Sequence, residues 1–212
     1  MRIGSVRYRL MDPPAVTLDD AVEAAATGDI WLFRGTSLAD RAIRTFTNAP
    51  VNHVGMVVAL DDLPPLLWHA ELGKSLPDVW TGERQRGVQL HLLVEAVDTW
   101  RTRYGQRAWL RHLDGPIERY HEDRVMEVID RYDGRPFPTT PRLMRRWVAA
   151  RLRRTSTLET VYCAELAATT YQHMGLLPAR RPASWYDPGK FWSGDDIGLV
   201  APFSLGGEVA VA

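Results

Sequence analysis

Apolar residues along this chain fall into short runs of two kinds. Some cluster or alternate as strands do, and others recur at the three-to-four spacing of a helix face. Thr17 to Ala26 predicts a short helix, with Thr17 as N-cap, acids in its first turn and Gly28-Asp29 as its end. Ile30 to Phe33 is a short apolar strand. Ser37 then caps a helix whose stripe is Leu38, Ala42, Ile43 and Phe46, stopped at Asn48-Ala49-Pro50. His53 to Leu60 and Leu66 to Leu72 read as two strands, a hairpin joined at Asp61 to Pro65. Gly73 to Gly87 is a polar loop. Val88 to Leu90 reads as a third strand, Leu92 to Trp100 as a helix and Ala108 to Leu113 as a further strand. Ile117 to Tyr132 is a helix closed by Asp133-Gly134. A proline-marked loop leads to an Arg-rich helix, Leu143 to Arg153. Val161 to Met174 is the next helix, with Gly175 as its C-terminal stop. A last strand is expected near Val200 to Phe203. Helices segregated around a small, mainly antiparallel sheet make the class α+β.

Composition narrows the function classes. The chain has 212 residues with 26 basic and 26 acidic side chains, so its formal net charge is zero. That balance argues against a dedicated nucleic-acid binder, which carries a basic excess. The length suits a single domain, 1–212, with a short N-terminal extension (about 1–16) and a basic helical insertion (about 140–154). No run is apolar and long enough to serve as a leader or to span a bilayer, so a soluble, cytoplasmic protein is the expectation. One cysteine, Cys163, rules out an intramolecular disulfide and leaves one candidate for thiol chemistry.

Cys163 opens a predicted helix. Free N–H groups and the partial positive charge there favour thiolate, so its pKa is expected to fall from about 8.5. The ordinary alternative is a small buried hydrophobe. His53 opens a strand, and Gly55 lies on the same face two residues on, where it leaves room for a substrate or another backbone. On the neighbouring strand Leu67, His69 and Glu71 share one face, which is otherwise read as exposed. A cysteine hydrolase needs a thiol at a positive helix end, an imidazole to take its proton and a polar group to orient the imidazole. Cys163, His53 and His69 (or Glu71) supply the three. Tyr162 beside the nucleophile and Glu165 in the first helical turn are candidates to line the cleft. Zinc ligation by Cys163, His53 and His69 is the competing chemistry, but the close-spaced ligand pairs of structural zinc sites are absent, so no metal or cofactor is expected.

These segments resemble a known family. Asn52-His53-Val54-Gly55-Met56 is similar to the Ser-His-Val-Gly-Ile stretch of the circularly permuted papain-like hydrolases of the NlpC superfamily, in the YaeF/YiiX-like branch related to lecithin:retinol acyltransferase. Tyr162-Cys163-Ala164-Glu165-Leu166 resembles that branch's Cys-Ser-Glu-Leu helix start. Trp68-His69-Ala70 falls where the family often has Glu-Ala. Gly28-Asp29-Ile30, the helix from Ser37, Gly175 to Pro178 and Trp185 to Pro188 extend the likeness over about Gly28 to Phe191. Asn52 and Ala164 stand where serines are common. The resemblance implies a permuted papain-like core with Cys163 as nucleophile, His53 as general base and His69 as the orienting residue, where relatives have Glu or His.

The implied reaction is hydrolysis of an amide or ester through a thioester, with acyl transfer by the same site as one alternative and a non-catalytic binding module as another. The implied partner is a small-molecule, lipid or peptide substrate, with no nucleic acid. The segment Arg142 to Arg154 interleaves arginines with Leu143, Trp147, Val148 and Leu152. A basic amphipathic helix can make weak contact with an anionic membrane surface, although a core-facing stripe with a solvated basic back is commoner.

Overall fold

β1 (Ile30–Arg34) is buried at every position but its last, and it is the middle of the sheet because both its edges are paired. In a computed structural model, which describes residues 15–35, 50–71, 73–136, 162–194 and 197–212, β1 pairs antiparallel with β2 (His53–Val58) on one side. On the other side it pairs with β5 (Arg107–Arg111). The order is completed by β3 (Leu66–Glu71) and β4 (Gly87–Leu92) beyond β2, and by β8 (Val209–Val211) beyond β5. All five neighbouring pairs are antiparallel. A separate two-stranded ribbon joins β6 (Leu113–Asp114) to β7 (Ser204–Leu205). The α+β class and the mainly antiparallel sheet expected from the sequence are observed.

Both faces of the sheet are covered. On one face Ile30, Leu32, Val54, Met56, Trp68, Ala70 and Leu90 meet α3 (Arg119–Tyr132) and α4 (Cys163–Met174). Trp68 Nε1 donates to Thr170 Oγ1 at 3.1 Å and Tyr171 Oη donates to the Gly28 carbonyl, which locks α4 across the strands. On the other face Trp31, Phe33, Val57, Leu67, Ala108 and Leu110 meet α1 (Leu18–Glu23) and α2 (Leu93–Asp98), with Trp100 following in a π-helical turn. A sheet buried on both sides does not show the apolar-in, polar-out alternation. This is why the His69 face, for which an exposed sheet face was the ordinary alternative to a site, is buried.

The edge strand β4 is shielded by chain rather than left open. Val88 N–H donates to the Arg135 carbonyl at 2.8 Å, and Leu90 N–H donates to Asp78 Oδ2 at 2.7 Å. Some boundaries differ from expectation. The first helix ends at Glu23, because the Asp29 carboxylate draws the Ala26 N–H at 3.1 Å out of the helical path. The strand expected at Val200 to Phe203 is a turn, since Pro202 lacks the N–H a ladder needs, and the strands follow at β7 and β8. Val16 bridges to Val211, so the end of the expected N-terminal extension belongs to the sheet edge. The helix expected from Ser37 and the Arg-rich helix lie outside the described residues.

Candidate functional site

β2 begins at His53 because Asn52 anchors its start. Asn52 N–H donates to the Phe33 carbonyl at 3.0 Å, and its Oδ1 accepts Gly35 N–H at 2.7 Å. His53 then points to the α2 face, opposite Phe33 in register. Its ring lies 5.8 Å from Phe33 and 5.2 Å from Trp100. On β3, His69 points to the same face and is fully buried. His53 Nε2 and His69 Nδ1 are 3.2 Å apart. The second nitrogen of His69, Nε2, is 3.1 Å from Nδ1 of His91 on β4. Three of the chain's six histidines thus form one line across three strands, with His69 and His91 buried and His53 half-buried at its end. Trp100 packs edge-on against two of them, 4.9 Å from the His69 ring.

Burial keeps these rings neutral, and the one carboxylate that acts on them, Asp78 at His91, does not outweigh it. Desolvation and the neighbouring His91 lower His53 to about 4. Desolvation, His91 and His53 lower His69 well below its ordinary value. Burial lowers His91 to about 4, against the opposing pull of Asp78 and the Leu76 backbone. Each ring is therefore an imidazole at neutral pH, able to accept a proton at one nitrogen and to donate from the other.

Glu71, the alternative to His69 as third residue, is turned elsewhere. Its Oε1 accepts Ser75 N–H at 3.2 Å, and its Oε2 accepts Ser75 Oγ at 2.8 Å and Gln89 Nε2 at 3.4 Å. Ser75 Oγ also accepts Trp100 Nε1 at 3.3 Å, so Glu71 holds the tryptophan over the histidines through the serine. Gly55 is buried, and a side chain there would strike Leu67 Cδ1 at 2.7 Å and His69 Cβ at 3.3 Å. The space expected for substrate at Gly55 is taken by β3 itself: the glycine is needed so that β3 side chains can cross it.

Cys163 opens α4 as expected, after Tyr162 in extended conformation (φ −120°, ψ 168°). It is 5% exposed and packs in the cluster on the opposite face from the histidines. Burial pushes its thiol up to about 11, although the backbone of Val54, Ala164 and Cys163 itself acts in the other direction. The fall expected from the helix start is thus reversed, because desolvation of a thiolate outweighs the amides around it. The structure brings the sulfur to the backbone of Val54, the residue after His53. Among the described residues no hydrogen bond joins Cys163 to His53. Tyr162 donates its Oη to the Tyr186 carbonyl at 3.1 Å and is nearly buried, and Glu165 is buried within the first turn of α4.

The sequence reading missed His91, Gln89 and Trp100. The signal was there in part: Gln89 and His91 are polar residues at alternate positions of an apolar strand, on the same face as His69 and Glu71 of the strand beside it, with Gln89 directly opposite His69. His69, Glu71 and His91 also bring one ligand-type atom each within 4.8 Å of one another.

No family model matches the chain, and no curated protein matches it. A solved structure does: the metalloprotein YiiX (DUF1105) of Escherichia coli O157:H7, at 20% sequence identity and a TM-score of 0.50. The match covers 71% of this chain and 66% of that one, so it spans just under two thirds of the neighbour's length. The chain has a YiiX-like fold. No helix among the described residues is long and apolar enough to cross a membrane.

Proposed function

We propose that this chain is a cysteine-dependent hydrolase of amide or ester bonds, with Cys163 as nucleophile, His53 as general base and His69 as the residue that orients it. The observation that carries the reading is the His53–His69 contact of 3.2 Å, which engages His53 at Nε2 and leaves Nδ1 as the nitrogen available to a thiol. The sulfur at the start of α4, against the backbone of the residue that follows His53, supports it further.

With the thiol pushed up to about 11 and the imidazole down to about 4, both rest neutral, so the reaction does not start from an ion pair. It requires Cys163 and His53 to meet as substrate enters. The S–H bond then breaks toward His53 Nδ1 while sulfur adds to the carbonyl carbon. The tetrahedral oxyanion is met by backbone N–H groups at the helix start, each worth about 3 kcal/mol when well aimed. The imidazolium returns its proton to the leaving amine or alcohol, and a thioester on Cys163 remains. Water completes hydrolysis; an acceptor in its place gives acyl transfer at the same site. The substrate class is a small-molecule, lipid or peptide amide or ester.

The solved neighbour is named as a metalloprotein. The donors His69, Glu71 and His91 here are of a type that suits a zinc-class ion. However, both nitrogens of His69 already face other histidines, and both oxygens of Glu71 already accept hydrogen bonds. A metal does not fit this network as it stands, and no step is routed through one.

The thiol reading is tested by incubating the native protein with p-nitrophenyl esters of short acyl chains. The expected result is a burst of p-nitrophenol with an acyl adduct on Cys163 by mass spectrometry, lost in Cys163→Ala and slowed in His53→Ala. A native Cys163 that is neither acylated nor alkylated by iodoacetamide would overturn it. That outcome would favour a binding module that keeps the fold, in line with a thiol held in the neutral form.

A further inference from the structure

A neutral imidazole carries one N–H and one lone pair, so a row of imidazoles joined ring to ring has only two arrangements of its protons. In the first, His53 Nε2–H donates to His69 Nδ1 and His69 Nε2–H donates to His91 Nδ1. The proton of His91 then sits on Nε2, and His53 Nδ1 is a bare lone pair. In the second every donor and acceptor is exchanged, and His53 carries its proton on Nδ1. Only the first leaves His53 able to take a proton from a thiol. Because His69 is engaged at both nitrogens, at 3.2 Å and 3.1 Å, His53 cannot change its tautomer unless His69 and His91 change theirs.

We propose that His91 is a positioning residue which, through His69, fixes His53 in the tautomer with its proton on Nε2. The inference rests on the thiol reading for its consequence and on the histidine line for its geometry.

The surroundings of His91 select between the two arrangements. The rings of His69 and His91 are fully buried, so no water resets the row from its side or its far end. Nδ1 of His91 is turned to His69, so the first arrangement puts the proton of His91 on Nε2 and the second leaves Nε2 bare; that nitrogen is buried without a hydrogen bond of ordinary geometry among the described residues. The Asp78 carboxylate and the Leu76 backbone favour a proton on the side of His91 away from His69, against the opposing charge of Arg84, and so favour the first arrangement. Asp78 is itself fixed in place, since its Oδ1 accepts the N–H groups of Trp80 and Thr81 and its Oδ2 accepts that of Leu90. Trp100 packs edge-on against the His53 and His69 rings and limits their movement. When His53 Nδ1 takes a proton, the resulting imidazolium already donates its Nε2–H to His69, so the new charge is hydrogen-bonded from the moment it forms.

The test is long-range ¹H–¹⁵N correlation of the imidazoles in the ¹⁵N-labelled full chain near neutral pH, which tells a protonated ring nitrogen from a bare one. The wild type should show His53 in a single form, protonated at Nε2 and bare at Nδ1. His91→Phe keeps an aromatic ring but offers His69 no acceptor, and it should turn His53 into a mixture of tautomers. Alkylation of Cys163 should slow by about tenfold, a fraction of the ~10²–10⁴ that a positioned base supplies. His91→Asn places an oxygen near the position of Nδ1 and should restore both the single tautomer and the rate. An unchanged His53 in His91→Phe would overturn the proposal. If that variant does not fold, the wild type alone decides, since a proton on His53 Nδ1 overturns it equally. A wild type with the expected tautomer but an inert Cys163 would support the role of His91 and count against the thiol reading, so the two fail separately.

Discussion

Toward α4, strands β2 and β3 present Val54, Met56, Trp68 and Ala70; toward α2, the same strands present His53, Gly55, His69 and Glu71 beside the apolar Val57 and Leu67. The backbone is shared and the burial is similar, yet the two sides are held by different forces. The α4 side is close-packed hydrocarbon, stabilised by removal of apolar area from water at ~25 cal/mol per Å². The α2 side also contains buried polar groups, most of which satisfy one another, while His91 Nε2 and Gln89 Oε1 have no hydrogen-bond partner among the described residues. Packing of the first kind makes the fold stable. The second kind costs stability and fixes directions, which is what proton transfer needs. The candidate thiol sits on the stable side and the candidate base on the directed side, with the β2 backbone next to both.

The largest expected effect separates the two sides by acid. His53 and His91 are held at about 4 against an ordinary 6.5, so between those values the unfolded chain binds protons that the folded chain does not. Stability is full above about 6.5 and is lost as pH falls toward about 4, at ~1.4 kcal/mol per pH unit for each ring. Urea unfolding at several pH values across that window measures it, and a flat profile would mean that the rings are solvated. Next comes the apolar side: Leu166→Ala in α4, a fully buried site, should cost about 2–5 kcal/mol at neutral pH and leave the steepness of the acid loss unchanged.

A smaller effect belongs to the thiol. With its pKa raised to about 11 from 9.0, its contribution is full below about 9 and is lost as pH rises toward 11. The expected slope is ~1.4 kcal/mol per pH unit, and it should vanish in Cys163→Ala. An alkaline loss that persists in that variant would assign it to other groups. Smallest is Gly55→Ala, where the added methyl meets Leu67 and His69. Overpacking there should cost about 1–3 kcal/mol and disturb the His53–His69 contact, seen as shifted imidazole resonances. A variant with wild-type stability and unchanged histidines would show that β3 gives way instead.

Much of the fold was legible in the chain. The hairpin of β2 and β3, the helix from Cys163 and its end at Gly175, where φ is +83°, follow from local pattern and turn chemistry. So does the pairing of His53 with His69: both lie on adjacent strands, and alternation puts them on one face. His91 was not legible, because Gln89 and His91 look like the polar face of an edge strand until α2 and Trp100 are seen to cover it. The fate of Gly55 was not legible either, since nothing local says which neighbour crosses a glycine.

The sequence by itself determined which residues could be a nucleophile, a base and an orienting group, because residue type and strand parity are local properties. Only the tertiary structure decided their state. Whether a thiol at a helix start rests below or above its ordinary pKa depends on how much water the surrounding elements remove from it. Whether three histidines are three separate residues or one proton-ordered row depends on which strands lie side by side. Desolvation and ring-to-ring contact arise between segments far apart in the chain, and no local pattern encodes them.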